Sequence, residues 1–171
     1  MMMKAQSQHN IVLFSSPTGE FSHDPFVSEH WLVSIVSGFS EMFSPEGIIS
    51  HPAGIVSLVR KNQLIKTVKR ADGEKPFKSI SICIDQQTLK KFGDEFDVKA
   101  DGIYSGEPNV ALENDEFMKA YFNSLTPYFS QPEKLTPNLA QIKTAEIMSH
   151  ELAPSFLQRL DHQIHISMEL Q

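Results

Sequence analysis

The first half of the chain consists of short apolar runs separated by turn-forming residues. Runs rich in Val and Ile alternate with Gly, Pro and Asn, a pattern typical of short antiparallel strands. Six or seven strands at this spacing predict a small antiparallel barrel or sandwich. The predicted strands cover residues 11–14, 31–36, 39–43, 48–49, 55–60, 63–70 and 77–84.

From Asn114 onward the apolar positions recur with a helical period. Asn114 can cap a helix that Pro127 ends. Thr136 can cap the next helix, because Pro137 follows at its first position, and Pro154 ends it. Shorter helices are predicted over residues 86–92 and 156–160. Strands followed by helices predict an α+β protein that is mainly β, with residues 1–10 as a loose tail.

Composition narrows the possible functions. The 15 Lys and Arg residues against 21 Asp and Glu give a net charge of −6, which argues against nucleic-acid binding by this chain itself. The lone Cys83 excludes an intramolecular disulfide, and its apolar surroundings predict an inert buried thiol in a reducing compartment. The first apolar run has only four residues, too few for a signal peptide or a membrane helix. We therefore expect a cytoplasmic protein without a membrane partner.

Catalytic and metal-binding patterns are weak in this sequence. Of the seven His residues, only His30 and His51 lie in the strand region, and no strand carries a His-x-His pair. His150 and Glu151 resemble the start of a zinc-protease helix, but Pro154 stands where the second His is required. The sequence has no nucleophile elbow of the Gly-x-Ser-x-Gly type. No metal ligand, catalytic residue or cofactor is therefore predicted.

Several cations form a local basic cluster in the predicted strands. A solvated strand face is the ordinary meaning of such a cluster, and a rim that attracts an anionic ligand or an acidic partner is the alternative. Arg60 shares the strand parity of Val56 and Leu58, so it either extends to water or binds a carboxylate at a barrel mouth. The cluster consists of Arg60, Lys61, Lys66, Lys69 and Arg70.

Four blocks of the sequence carry a family resemblance. They are residues 29–38 (EHWLVSIVSG), 52–62 (PAGIVSLVRKN), 77–80 (FKSI) and 139–148 (LAQIKTAEIM). In this order, they resemble the N-terminal effector domain of AraC-type transcription regulators. The resemblance covers about residues 25–165.

The resemblance implies a fold and a partner domain. The fold is a cupin-like double-stranded β-helix (a jelly-roll barrel) over residues 11–110. Two or three C-terminal helices follow in a dimerisation and linker region, 111–171, that packs on the barrel. DNA binding is expected from a separate C-terminal domain with two helix-turn-helix units. Metal-binding cupin enzymes share the fold, but their His-rich motif is absent here, which counts against an enzyme.

The resulting hypothesis is a ligand-sensing and dimerisation domain of a transcription regulator. It implies a small-molecule effector, a homodimer, and contact with DNA only through the missing domain. Two alternatives stay open: a stand-alone cupin-fold enzyme such as a metal-dependent isomerase or oxygenase, and a structural interaction domain with a closed barrel. The residues predicted to line the ligand site are Trp31, Val33, Ile35, Val56, Leu58, Arg60, Ile80 and Ile82. Those predicted to form the dimer helix are Leu139, Ile142, Lys143, Glu146 and Ser149.

Overall fold

The computed structural model describes residues 4–17, 20–23, 26–97, 107 and 109–151. Within these residues the chain forms twelve strands, three α-helices and two short 3-10 turns. The strands are β1 (Lys4–Gln8), β2 (Ile11–Ser16), β3 (Glu20–His23), β4 (Phe26–Val27), β5 (His30–Ser37), β6 (Phe39–Ser44), β7 (Gly47–Pro52), β8 (Val56–Val59), β9 (Gln63–Leu64), β10 (Lys66–Arg70), β11 (Phe77–Ile84) and β12 (Asn109–Leu112). The helices are α1 (Gln86–Phe96), α2 (Glu116–Leu125) and α3 (Pro137–Glu151), and the 3-10 turns are Thr126–Phe129 and Pro132–Lys134.

The larger sheet has six antiparallel strands in the order β1-β2-β11-β5-β8-β12. Its register determines which side chains share a face, because directly paired residues point to the same side of a sheet. Leu32 on β5 pairs with Ile82 on β11 and with Leu58 on β8. The next residue, Val33, pairs with Ser81 and Ser57 and points the opposite way. One face is therefore aliphatic and the other is mixed.

The smaller sheet has four strands in the order β3-β10-β6-β7, and β4 and β9 form a separate two-stranded pair. Gly38 joins β5 of the larger sheet to β6 of the smaller one with φ at +77°. This positive φ favours glycine, and a Cβ at position 38 would collide with the Arg70 carbonyl oxygen. Among the described strands, the hydrogen-bonded ladders form separate sheets rather than one closed barrel.

The three helices begin at residues that cap them. The Asp85 side chain accepts a hydrogen bond from the Thr88 N–H at 2.7 Å at the start of α1, and Asp115 does the same for Met118 at 2.8 Å in α2. Thr136 accepts from the Leu139 N–H at the start of α3. Such side-chain caps satisfy backbone donors that the first helical turn leaves free. The cap of α3 was predicted, whereas α2 is capped by Asp115 rather than Asn114.

The main hydrophobic core lies between the aliphatic face of the larger sheet and the three helices. Sheet residues such as Leu58, Ile80 and Ile82, each 0% exposed, pack there with helical residues such as Leu125 and Ile147. Each fully buried aliphatic side chain contributes roughly 1.5–3 kcal/mol relative to exposure. Two smaller clusters lie between the two sheets. The predicted α+β class, mainly β with C-terminal helices, is confirmed.

Three further local predictions were wrong. Residues 4–8 form β1 on the sheet edge instead of a loose tail, because their backbone pairs with β2 even though KAQSQ lacks apolar alternation. Helix α1 continues through Gly93 to Phe96, since Leu89 and Phe92 are buried in the main core and hold the helix. The predicted strand 63–70 breaks at Ile65 into β9 and β10.

The predicted final helix at 156–160 and the end of the second helical stretch at Pro154 lie outside the described residues. None of the described helices is long and apolar enough to cross a membrane.

Candidate functional site

A cavity of about 340 Å³ lies between the two sheets. Both sheets contribute to it through their inward faces, and the β4–β9 pair with its flanking residues closes part of the rim. Cavities of this size and largely apolar lining are typical of small-molecule sites. Its lining residues are Val12, Phe26, Val27, Ser28, Trp31, Val33, Ile35, Ser40, Met42, Val59, Ile65, Thr67, Lys69, Ser79 and Ser81.

One end of the cavity is mainly apolar, with Thr67, the direct partner of Met42 across β6 and β10, as a polar member. Val27, Met42, Val59 and Ile65 form a buried cluster there, and the half-buried Trp31 and Val33 pack against it. These side chains come from β4, β5, β6, β8 and the residue after β9. Their positions follow from sheet register, since Trp31 is paired with Val59 across the larger sheet.

The opposite end carries a cation and hydroxyl groups. The Lys69 Nζ atom lies 4.1 Å from the centroid of the Phe14 ring and 5.8 Å from that of Phe77. Ser40 is the direct partner of Lys69 across β6 and β10, and Ser79 is the direct partner of Phe14 across β2 and β11. Lys69 and the two serines therefore converge from opposite sheets on the same end of the cavity.

Burial changes the properties of these polar groups. Ser40 and Ser79 are each 1% exposed, and within the described residues their Oγ atoms have no hydrogen-bond partner. Burial lowers the pKa of Lys69 to about 8, because desolvation penalises its ammonium form. A polar group buried without a partner costs free energy, so such groups often mark a functional site.

The structure brings together three of the eight predicted lining residues. Trp31, Val33 and Ile35 line the cavity. The prediction for β8 and β11 was wrong. It assumed that the more aliphatic face of these two strands lines the cavity. That face is the helix-facing side, which buries Val56, Leu58, Ile80 and Ile82 in the main core.

Arg60 is also outside the cavity lining. It shares the parity of Leu58 and is 7% exposed, near His30 at one end of the larger sheet. The Nδ1 atom of His30 accepts a hydrogen bond from the Lys61 N–H at 3.2 Å. Burial lowers the pKa of His30 to about 3, with Lys61 and Arg60 adding to the effect.

His51 is also buried, and burial lowers its pKa. In the described part of the chain, no three His, Cys, Asp or Glu side chains gather as a metal-binding group.

The predicted basic cluster divides into separate environments. Lys66 is exposed, Lys69 lines the cavity, and Arg70 forms an ion pair of 3.3 Å with Glu41. Lys61 is buried and donates to Gln86 at 2.7 Å. Sequence reasoning missed the other twelve lining residues, among them Lys69, Ser79 and Ser81. The alternation of Ser with Ile along β11 is the signal that could have identified the mixed face.

The predicted dimer helix, α3, buries Ala140, Thr144, Ile147 and Met148 against the core. Of the predicted dimer residues, Leu139 packs beside that core, and Lys143 donates to Ser124 at 3.0 Å and to Glu146 at 2.9 Å. Glu146, Ser149 and Ile142 are exposed, Ile142 by 63%.

A family comparison identifies the chain. The model of the ExsA N-terminal regulatory domain matches residues 30–156. The chain belongs to this family. It is therefore an N-terminal regulatory domain of the AraC type, as the sequence resemblance implied.

Solved structures share the fold of this regulatory domain. The AraC-like transcriptional activator CuxR has a TM-score of 0.57 at 12% identity, with 86% of this chain and 52% of that chain covered. Apo ToxT from Vibrio cholerae has a TM-score of 0.56 at 8% identity, covering 82% and 55%. Wild-type ToxT from Vibrio cholerae bound to an unsaturated fatty acid has a TM-score of 0.54 at 10% identity, covering 87% and 56%.

The chain spans about half the length of these structural relatives. No curated protein matches it at a significant level.

Proposed function

We propose that this regulatory domain senses a small-molecule effector in the cavity between its two sheets and passes the signal to a separate DNA-binding domain. The cavity carries this proposal, because it offers a shaped, partly apolar site with a few polar groups. Two ToxT structures with carboxylic acids bound, an unsaturated fatty acid and a naphthyl-substituted butenoic acid, support a ligand-binding role for this fold. On this proposal the domain acts in the cytoplasm and catalyses no reaction.

A thermal-shift screen tests the proposal. Sugars, amino acids, nucleotides and short carboxylates are screened against the wild-type chain and the Ser81→Leu variant, whose larger side chain occupies cavity space. At least one compound is expected to raise the melting temperature of the wild type but not of the variant, because binding only to the folded state stabilises it. Equal shifts in both proteins would exclude this cavity as the site, and the absence of any shift would favour a purely structural domain.

The enzyme alternative has its own measurement. A metal-dependent isomerase or oxygenase with this fold would carry stoichiometric Fe, Mn, Ni or Zn after purification. Elemental analysis of the purified protein is expected to find substoichiometric amounts of all four metals. A stoichiometric metal would favour the enzyme.

We also propose that the outward side of α3 forms a homodimer seam. Ile142 is 63% exposed there, and in a two-fold symmetric dimer the same side chain of each copy would pack at the shared interface. Ile142→Lys is expected to shift the protein from dimer to monomer in light scattering. Ile48→Lys is the control, because Ile48 is 64% exposed on β7, away from the helices. A wild-type protein that is monomeric at high concentration would exclude the dimer.

A further inference from the structure

The cavity contains one ionisable side chain among its described lining residues, Lys69. Its ammonium group is held over the rings of Phe14 and Phe77, with Ser40 as its neighbour across the strands. Aromatic faces attract a cation through the ring quadrupole, so the two rings orient Nζ without neutralising its charge. The cavity therefore presents a positive charge in a partly dehydrated space.

The hydroxyl groups of Ser40 and Ser79 complete this polar end. Both Oγ atoms are buried without a hydrogen-bond partner among the described residues, and both residues contribute to the cavity lining. A hydroxyl can donate a hydrogen bond to an anionic oxygen, and such charge-assisted bonds are stronger than neutral ones. An ammonium and two hydroxyl donors around one space match the oxygen atoms of a carboxylate.

The other end of the cavity indicates which kind of group the carboxylate ligand carries. Trp31, Met42, Val59 and Ile65 offer almost no polar atoms, so they favour an aliphatic or aryl-alkyl group over a sugar. The volume of about 340 Å³ corresponds to about eleven water-sized groups, at roughly 30 Å³ each.

We infer that the effector is a small amphipathic monocarboxylate, with its carboxylate at Lys69, Ser40 and Ser79 and its apolar group directed toward Trp31. This inference rests on the proposed effector-binding function. Desolvation destabilises the ammonium form of Lys69 and lowers its pKa to about 8. A bound anion beside Nζ would stabilise that ammonium form and so offset part of the desolvation cost.

The lone Trp31 provides the readout. It is the chain's single tryptophan and it lines the cavity, so its fluorescence reports occupancy. The wild-type protein is titrated at pH 7 with octanoate, 1-octanol and octylamine, which share a chain and differ in charge. Octanoate is expected to bind at least about tenfold more tightly than 1-octanol, and octylamine the least tightly, because the Lys69 charge attracts one head group and repels the other.

Substitutions at Lys69 assign the effect. Lys69→Met is expected to weaken octanoate binding at least about tenfold, to the level of 1-octanol, whereas Lys69→Arg keeps most of it because the charge is kept. Lys66→Met is the matched control: Lys66 lies on the same strand but is exposed and absent from the cavity lining, so its removal should leave both affinities unchanged. If Lys69→Met does not fold, the relative affinities of the three ligands for the wild type still show whether the site prefers an anion.

Three results would overturn the inference, and they differ in whether the cavity stays a ligand site. Equal binding of octanoate and 1-octanol, or octanoate binding that survives Lys69→Met, would reject an anionic effector while leaving the cavity as a ligand site. No fluorescence change with any of the three compounds would reject the inference. If the thermal-shift screen also found no ligand, the proposed function would fail as well.

Discussion

The two faces of the six-stranded sheet use the same strands for different purposes. On β5, β8 and β11, one parity places Leu32, Leu58 and Ile82 against the helices, where each is at most 1% exposed. The other parity places Val33 and Ser81 along an open cavity. Adjacent residues of the same strands therefore face either the close-packed core or the partly polar cavity.

This difference separates the residues that hold the fold from those that can bind a ligand. The helix-facing side supplies most of the buried aliphatic surface and hence most of the hydrophobic stabilisation. The cavity side leaves buried hydroxyls and a cation incompletely solvated, which costs stability and is typical of binding sites. Substitutions that compare the two faces test this division directly.

The largest effect is expected from truncating matched valines on β8. Val56 and Val59 are 1% and 5% exposed, but Val56 packs in the main core and Val59 lines the cavity. Val56→Ala should cost roughly 2–3 kcal/mol, because it opens a new void in close-packed surroundings. Val59→Ala should cost about half as much or less, since it enlarges space that already exists. Urea unfolding of both variants measures the difference, and equal costs would contradict a distinct cavity face.

Substitutions that enlarge a side chain test the same difference, because they should destabilise the close-packed core more than the cavity. Ala140 on α3 is 0% exposed within the main core, so Ala140→Leu is expected to cost about 1–3 kcal/mol through overpacking. Ser81→Leu places a similar volume in the cavity and should change the unfolding free energy by less than about 1 kcal/mol. A cost at Ser81 as large as that at Ala140 would mean that the cavity is not available space.

The sequence identifies the periodicity of these strands but not which parity faces the cavity. On β5 both parities are apolar, and the predicted lining residues Trp31, Val33 and Ile35 lie on the cavity side. On β8 and β11 the more aliphatic parity was taken as the interior of a barrel. It instead packs on α2 and α3, which lie far along the chain, so no local pattern reveals that cover.

Local signals and tertiary packing also explain the helix and strand boundaries. The Thr136–Pro137 pair identifies the start of α3 because capping depends only on neighbouring residues. Gly93 was expected to end α1, but burial of Leu89 and Phe92 overrides the low helix propensity of glycine. The β1 strand was missed for a similar reason, since a polar edge strand is specified by its partner rather than by its own sequence.

The pH dependence of octanoate binding tests the role of Lys69 on the cavity face. With a pKa of about 8, Lys69 in the free protein is mostly charged at pH 7 and mostly neutral at pH 9. Octanoate stays ionised over this range, so its affinity should be flat from about pH 6 to 7 and fall about tenfold by pH 9, as the competent fraction falls.

Fluorescence titrations measure this change, and 1-octanol should bind equally at both pH values. His30, with its pKa lowered to about 3, and Cys83, with its pKa raised to about 12 mainly by burial, do not titrate in this window. An equal loss for both ligands would point to a structural change instead of Lys69.

The smallest effect concerns the hydrogen bond that joins the helix side to the sheet. The Asn10 side chain donates to the Thr144 Oγ1 atom of α3 at 2.6 Å and to the Cys83 carbonyl oxygen of β11 at 3.2 Å. Thr144→Val keeps the side-chain shape but removes the acceptor, so it should cost about 1 kcal/mol. Ser149→Ala is the control: like Thr144, Ser149 donates to the carbonyl four residues earlier, but it is exposed. If the two variants unfold at the same urea concentration, the Asn10 contact adds nothing to the docking of α3, and apolar packing alone holds that helix on the sheet.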